Sequence, residues 1–188
     1  MRIGEMQFAY LSSHGLEQGH NLLEIGCGNL RAGWRFIAWL DVGAYTGVDI
    51  SPEILLAANQ TLVQRRLQSK QPRLMLYDGF DLGFIPGNHF DAAHAHSVFS
   101  HTPIEVVSRL LGEVWRVLKP GGFFDFTYNR SDTGEVWGFL NEDYYYPTET
   151  LIELAGSLGY EASPAEDWRY KQEKIRAVKP VSGSTDDD

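Results

Sequence analysis

The chain has 188 residues, of which 43% are hydrophobic and 22% are charged, and its formal net charge is −9. This composition is typical of a single globular domain, and the acidic balance disfavours non-specific binding to nucleic acid, which needs a basic surface. The sequence has no apolar run of ~20 residues that could span a membrane. It also lacks a signal-peptide pattern and has a single cysteine, so we expect a cytoplasmic protein.

A glycine-rich turn lies between the first two predicted strands. Residues 21–25 form a short apolar run, Gly26 and Gly28 follow it, and residues 34–40 are apolar at helical spacing. Residues 45–50 predict a second strand that carries Asp49 near its end. Gly26 and Asp49 are 23 positions apart, close to the ~20 expected when a carboxylate after the second strand binds a ribose. The segment therefore predicts a βαβ unit with a nucleotide site.

Two residues depart from a dinucleotide-binding pattern. Arg31 stands where the third glycine is expected, and the Glu24 carboxylate precedes the first glycine. A carboxylate there would repel a pyrophosphate but would tolerate a ligand that carries ammonium and sulfonium charges. An ordinary βαβ unit with a turn-forming pair of glycines remains the alternative.

Glu24-Ile25-Gly26-Cys27-Gly28 resembles motif I of the class I S-adenosylmethionine-dependent methyltransferases, and Gly47-Val48-Asp49 resembles their ribose-binding position. The run from Leu118 to Phe123, LKPGGF, resembles the turn before their fifth strand. The resemblance covers about residues 20–178. It implies S-adenosyl-L-methionine as cofactor and methyl transfer to the hydroxyl or amine of a small-molecule acceptor by direct displacement.

The remaining predicted elements alternate along the chain. They are a helix over 52–67 with Ser51 as N-cap, strands over 73–77 and 90–96, a helix over 104–118, a strand over 123–128, a helix with Thr148 as N-cap, and two short strands that start at Tyr160 and Asp167. The charged run 171–174 is expected at a solvated turn or edge. The order predicts an α/β three-layer sandwich. With the resemblance, we expect a Rossmann-like, mostly parallel seven-stranded sheet with an antiparallel C-terminal strand.

The predicted cofactor site lies at the carboxyl ends of the strands. The resemblance implies that Asp49 binds the ribose, that Asp78 accepts a hydrogen bond from adenine, and that the chain passes under the methionine portion after the fourth strand. Arg31 could hold the methionine carboxylate, or it could be a surface residue. The full predicted set is Glu24, Gly26, Cys27, Gly28, Arg31, Asp49, Ile50, Asp78, Gly79, Phe80, His96 and Ser97.

Three histidines, His94, His96 and His101, lie within eight residues. His101 would face the methyl group and is the candidate general base, although it could instead cap the strand exit. His94 and His96 would point the same way from a strand and could bind a metal. No Asp, Glu or Cys in this stretch completes a ligand set, so we predict no metal.

We expect one domain over residues 1–180 and a disordered tail over 181–188. Residues 1–20 would hold a lid helix that contacts the ligand through Phe8 and Tyr10, or a helix that packs on the sheet edge. Residues 129–147 could form a substrate cap with an aromatic wall, or a surface connection. The wall residues would be Trp137, Phe139, Tyr144, Tyr145 and Tyr146, and Arg130 could meet an anion.

Two other functions remain open. A nicotinamide-dependent oxidoreductase shares this sheet edge, although Glu24 and Arg31 disfavour it. A non-catalytic, cofactor-binding member of the same fold would share every cofactor contact. Expected partners are a small-molecule substrate and no nucleic acid, and the chain could be a monomer or a homodimer.

Overall fold

The computed structural model describes residues 3–134, 136–138 and 143–181, and its helices and strands alternate along most of the chain. The helices are α1 (Ile3–Ser13), α2 (Gly33–Trp39), α3 (Pro52–Arg65), α4 (Ile104–Val117) and α5 (Thr148–Ser157), with short 3₁₀ turns at Gln68–Lys70 and Phe99–His101. The strands are β1 (Leu22–Ile25), β2 (Tyr45–Asp49), β3 (Arg73–Leu76), β4 (Phe90–Ala95), β5 (Leu118–Arg130), β6 (Val136–Gly138), β7 (Asp143–Tyr146), β8 (Glu161–Pro164) and β9 (Glu173–Val178).

Seven strands of the described chain form the central sheet in the order β3-β2-β1-β4-β5-β9-β8. The first five are parallel to their neighbours. Strand β9 is antiparallel to both β5 and β8. The predicted α/β class and the mostly parallel seven-stranded sheet are therefore confirmed. Since β1 lies between β2 and β4, the strand order reverses there, and this topology opens a crevice at the carboxyl ends of these strands.

Helices cover both faces of the sheet and bury one apolar core on each side. Phe124 and Phe126 of β5 pack in the core under α4 and α5. Leu22 of β1 and Phe36 of α2 belong to the other core, which also holds Leu11 of α1. Because side chains alternate along a strand, the residues of β5 that flank Phe126 point toward the α1 side. None of the described helices is long and apolar enough to cross a membrane.

The described part of the segment 129–147 contains two strands in addition to the end of β5. Strands β6 and β7 form an antiparallel ribbon, and β7 pairs in parallel with Asn129 and Arg130 at the end of β5. The Tyr146 side chain is buried, and its hydroxyl donates to the Thr102 carbonyl oxygen over 2.5 Å. The ribbon was missed because three tyrosines in a row give no alternating pattern. Phe139, a predicted wall residue, and residues 182–188 of the predicted tail lie outside the described residues.

Three predicted boundaries are wrong. Helix α5 already includes Thr148, whose hydroxyl hydrogen-bonds the Tyr128 hydroxyl over 2.7 Å, and Pro147 is the N-cap. Strand β5 begins at Leu118, five residues early, because Leu118 pairs with Phe90 before an irregularity in the register. Strand β9 begins only at Glu173, because the preceding residues 165–172 turn outside any helix or strand.

Candidate functional site

The turn after β1 brings an open stretch of backbone to the carboxyl edge of the sheet. Gly26 and Gly28 have φ values of +65° and +55°, which favour glycine. A Cβ at Gly26 would lie 2.6 Å from Cγ2 of Val98, so the turn packs closely against the chain after β4. A Cβ at Gly28 would meet nothing within 4 Å. The backbone of Gly28 is therefore accessible to a ligand.

Asp49 is held against this turn by two backbone hydrogen bonds. Its Oδ2 accepts from the Gly28 amide over 2.9 Å, and its Oδ1 accepts from the Ser51 amide over 3.0 Å. The same Ser51 side chain accepts from the Ile54 amide over 3.2 Å and caps α3, as predicted. The Asp49 carboxylate is thus fixed beside the glycine turn, where it could accept hydrogen bonds from ribose hydroxyls.

A cavity of about 300 Å³ lies between the glycine turn, α1 and the end of β4. Six predicted residues line it: Glu24, Gly26, Cys27, Gly28, Arg31 and His96. Four further residues line it and were not predicted: Gln7, Asn29, Ala32 and Ile54. Of these, Gln7 had a weak signal in the sequence, because a polar side chain between the apolar residues of a short helix suggests that it faces a polar environment.

Glu24 places a buried carboxyl group in the wall of this cavity. Its Oε2 accepts a 2.5 Å hydrogen bond from the Tyr45 hydroxyl. Burial raises the pKa of Glu24 to about 7, and the hydrogen bond from Tyr45 and the charge of Arg31 act in the opposite direction. A cationic group in the cavity would favour the ionised form of Glu24 further. The site therefore suits a ligand with a positive charge near this carboxylate.

Arg31 is exposed at the mouth of the cavity, and its charge lowers the pKa values of both Glu24 and His96. Its backbone contacts α1: a Cβ at Gly4 would overlap the Arg31 carbonyl oxygen and would lie 2.8 Å from the carbonyl carbon. Helix α1 therefore rests directly on the glycine turn. Phe8, predicted to contact the ligand, instead packs against the rings of Phe36 and Trp39 at 5.6 and 5.8 Å.

A second group of predicted residues forms an exposed ledge beside the cavity. Ile50 is 64% exposed, and a Cβ at Gly79 would lie 3.5 Å from its Cγ2. Asp78 accepts hydrogen bonds from the Asp81 and Phe80 amides over 2.9 and 3.2 Å, which lower its pKa. Asp78 follows β3 and Asp49 ends β2, which are parallel neighbours. The ledge is therefore at the same edge of the sheet as Glu24.

Ser97 and His101 lie beyond β4. Ser97 has a φ of +58°, and its hydroxyl donates to Oε1 of Gln172 over 2.7 Å, so it contacts the C-terminal segment rather than the cavity. The side chain of His101 is 55% exposed, and its Nδ1 lies 3.2 Å from Oδ1 of Asp143. Asp143 is a partner that the sequence reasoning missed, because it lies on the unpredicted strand β7.

His94 and His96 do not point toward a common metal site in the described residues. His94 is fully buried, and its Nε2 lies 3.2 Å from Oε1 of Gln7. The two imidazole rings are 6.4 Å apart. Over residues 3–134, 136–138 and 143–181, no group of three or more His, Cys, Asp or Glu side chains is arranged to hold a metal ion.

The sequence matches the family model described as "Methyltransferase domain" over residues 23–124, more than half of the chain. It is 27% identical over 125 residues to "Probable methyltransferase ltbC" of Aspergillus luteorubrus, an alignment that covers 64% of this chain and 44% of that protein. The chain thus spans less than half of the length of this curated relative.

Two solved structures share the fold. The [4+2]-cyclase SpnF has a TM-score of 0.76 at 21% identity, covering 94% of this chain and 82% of that chain. The magnesium protoporphyrin IX methyltransferase of Synechocystis PCC 6803, solved with bound SAM, has a TM-score of 0.71 at 19% identity, covering 94% of this chain and 80% of that chain.

Proposed function

Because the chain belongs to the class I S-adenosylmethionine-dependent methyltransferases, we propose that it transfers a methyl group from S-adenosylmethionine to a small-molecule hydroxyl or amine. The observation that carries this proposal is the cavity at the carboxyl edge of the sheet, in which the buried carboxyl of Glu24 lies beside the open backbone of Gly28. An anionic pyrophosphate would be repelled there, whereas the ammonium of a methionine portion would be attracted.

We assign residues in and beside the cavity to the parts of the cofactor. Asp49 would hold the ribose hydroxyls, and the ledge of Ile50, Gly79 and Phe80 would support the adenine ring, with Asp78 near its amino group. Glu24 would bind the ammonium, and the Arg31 guanidinium would bind the carboxylate. His96, which lines the same cavity just after β4, would then lie near the sulfonium.

When bound, S-adenosylmethionine supplies a methyl group that is activated by the positive charge on sulfur. The chain's own contribution would be alignment of the acceptor behind that methyl group and exclusion of water. Helix α1, which packs on the glycine turn at Gly4, would help to close the cavity. His101, whose Nδ1 is paired with Asp143, is a candidate base for an acceptor hydroxyl.

Isothermal titration with S-adenosylhomocysteine and with NADH tests the cofactor. We expect that S-adenosylhomocysteine binds and that NADH does not. Asp49→Ala should weaken it at least tenfold, which is ~1.4 kcal/mol. Asp41→Ala, which changes an exposed aspartate just before β2, is the matched control and should bind normally. Tight NADH binding, or equal affinity of the Asp49 variant and the control, would contradict the assignment.

Methyl transfer from labelled S-adenosylmethionine into a panel of phenols, sugars, carboxylic acids and amines tests the reaction. SpnF, a structure with this fold, carries the name of a cyclase, so the fold by itself does not establish methyl transfer. Cofactor binding without transfer to any member of the panel would favour a non-catalytic or differently catalytic protein.

A further inference from the structure

A layer of polar side chains is buried between the sheet and α1. In the register of the sheet, His94 of β4 is opposite Asp125 of β5, which is opposite Arg176 of β9. In the next row, Thr127 of β5 is opposite Lys174 of β9. All five side chains alternate with apolar residues of the opposite core, so they lie on the α1 side of the sheet.

The first of these rows is satisfied except at one atom, the buried Nδ1 of His94, which has no partner among the described residues. The Arg176 guanidinium donates to both carboxylate oxygens of Asp125 over 2.8 and 2.7 Å, and to the His14 carbonyl oxygen over 2.6 Å. His94 pairs with Gln7. This row therefore has a structural explanation: it ties the end of α1 to the middle of the sheet.

In the second row, the Thr127 hydroxyl accepts from the Ser97 amide and donates to Oε1 of Gln172, but Lys174 is not satisfied. Lys174 is 1% exposed, and its Nζ has no hydrogen-bond partner among the described residues. His96, which extends the row beyond β4, is 8% exposed, and neither ring nitrogen has a partner in the described part of the chain. Buried polar groups without partners cost free energy and are rare in folded proteins. Lys174 and His96 therefore need another explanation.

Aromatic rings surround these two groups. Lys174 Nζ lies 4.2 Å from the centre of the Tyr10 ring and 4.0 Å from that of Trp168. The His96 ring is 6.0 Å from Trp168 and 5.4 Å from Tyr170. We call Tyr10, His96, Trp168, Tyr170 and Lys174 the Lys174 cluster. His96 also lines the proposed cofactor cavity, so the cluster and that cavity share a wall.

We propose that the Lys174 cluster is the acceptor site, that its acceptor is a planar phenol or enol, and that Lys174 removes the proton from the acceptor hydroxyl. This inference rests on the proposed methyl transfer. The three aromatic side chains match a planar ring, and a hydroxyl oxygen would satisfy both Lys174 and His96. The position of the cluster next to His96 puts that oxygen on the side of the cavity where the methyl group is expected.

The step balances without a further reactant. The neutral amine of Lys174 accepts the hydroxyl proton and becomes an ammonium that pairs with the acceptor oxyanion. The acceptor oxygen forms a bond to the methyl carbon while the carbon–sulfur bond breaks, and its electron pair stays on sulfur as a neutral thioether. The ammonium then releases its proton to solvent. The net products are a methyl ether, the thioether and one proton.

The surroundings of Lys174 are consistent with this role. Burial is the main cause that lowers its pKa, to about 8, and the charge of Arg176 acts in the same direction, whereas Asp125 and Asp167 raise it. The other titratable groups that face it are Tyr10, His94 and His96, and its charge lowers the pKa of both histidines. At mildly alkaline pH, a substantial fraction of Lys174 would therefore be the neutral amine.

The acceptor would enter through residues 165–172, which form no helix or strand over the cluster. The indole nitrogen of Trp168 donates to the Gln172 carbonyl oxygen over 3.0 Å within this segment. The segment is attached to α1 by Asp167, which accepts from Tyr10 over 3.4 Å and lies 2.5 Å from Nε2 of His14. Displacement of this segment would expose Lys174 and would break the hydrogen bonds of Gln172 with Ser97 and Thr127 and the bond from the Ala165 amide to the Lys174 carbonyl oxygen.

The first test uses binding of 4-nitrophenol, which absorbs differently as phenol and phenolate. It is added to the S-adenosylhomocysteine complex one pH unit below its own pKa. We expect the bound probe to be phenolate in wild type and in Lys171→Met, an exposed control in the same segment, and neutral in Lys174→Met. Titration of S-adenosylhomocysteine into each variant should give affinities within twofold of wild type.

The second test measures methylation of a phenol panel against pH. Lys174→Met and Lys174→Arg should lose about 10²–10⁴ in kcat, as expected for a general base, and should lose the rise in rate with pH. Methylation at the wild-type rate by Lys174→Met overturns the inference. The inference is also overturned if the wild-type protein binds S-adenosylhomocysteine but neither ionises 4-nitrophenol nor methylates any phenol. Failure to bind S-adenosylhomocysteine would instead refute the proposed function, and this inference with it.

Discussion

Replacement of Lys174 by methionine should make the protein more stable. Burial lowers the lysine pKa from 10.5 to about 8, a difference of about 2.5 units. At 1.36 kcal/mol per unit, the buried charge costs about 3 kcal/mol at neutral pH. Loss of the contacts between the ammonium and the Tyr10 and Trp168 rings offsets about 1 kcal/mol of the gain. Methionine has a similar length and fills the space without a charge, so Lys174→Met should raise the free energy of unfolding by about 2 kcal/mol.

The gain should depend on pH in a defined direction. Below pH 8, Lys174 is protonated in both the folded and the unfolded chain, so the full cost of its charge is present. As the pH rises from about 8 to 10.5, the folded chain releases this proton before the unfolded chain does, and wild type becomes more stable. The difference between wild type and Lys174→Met should therefore shrink over this range.

Urea denaturation followed by circular dichroism at pH 7 and pH 10 measures this difference directly. Groups whose pKa does not depend on the Lys174 charge titrate equally in both proteins, so the comparison reports mainly on residue 174. Lys171→Met, which removes an exposed lysine, should differ little from wild type at either pH. A Lys174→Met variant that is less stable than wild type at pH 7, or a gain that is equal at both pH values, would refute the argument that Lys174 is held at an energetic cost.

Three further predictions concern the cavity and its surroundings. Gly4→Ala should force α1 away from the Arg31 carbonyl. It should lower the free energy of unfolding by about 1–3 kcal/mol in urea titrations and weaken S-adenosylhomocysteine binding. Gly112→Ala, where a Cβ meets nothing within 4 Å, should have neither effect. Wild-type affinity for S-adenosylhomocysteine should fall as the pH drops below about 7, because Glu24 becomes protonated. In titrations from pH 8 to 5.5, Glu24→Gln should bind S-adenosylhomocysteine weakly throughout and should lose most of this pH dependence. His101→Gln should change the kcat for phenol methylation less than tenfold if Lys174 is the base; a hundredfold loss in His101→Gln, with Lys174→Met unaffected, would assign the base to His101.

The parts of the site formed by local sequence were predictable. Gly26 and Gly28 determine the turn through their backbone conformation, and Asp49 ends a neighbouring parallel strand, so their meeting follows from the βαβ unit itself. The same reasoning placed Glu24 and His96 at this edge, and both line the cavity.

The Lys174 cluster could not be predicted in this way. The charged run 171–174 indicated a solvated turn or edge, and for Lys174 this prediction is wrong. Lys174 is buried because β9 pairs with β5 on one side and β8 on the other, while Tyr10, 164 positions earlier in the chain, covers it. Charge pattern along a short window carries no information about such distant partners. The ribbon of β6 and β7 was missed for a different reason, since its three consecutive tyrosines give no alternating pattern.

The position of β9 has a consequence for biosynthesis. This strand is the last one in the described chain, yet it is inserted between β5 and β8 rather than added at the margin. While the ribosome has not yet released residues 173–178, the nascent polypeptide exposes the unpaired side of β5, and the Asp125 carboxylate lacks its arginine. Native assembly of this half of the sheet therefore has to wait until residues 173–178 have left the ribosome, and chaperone protection of β5 would matter most before that point.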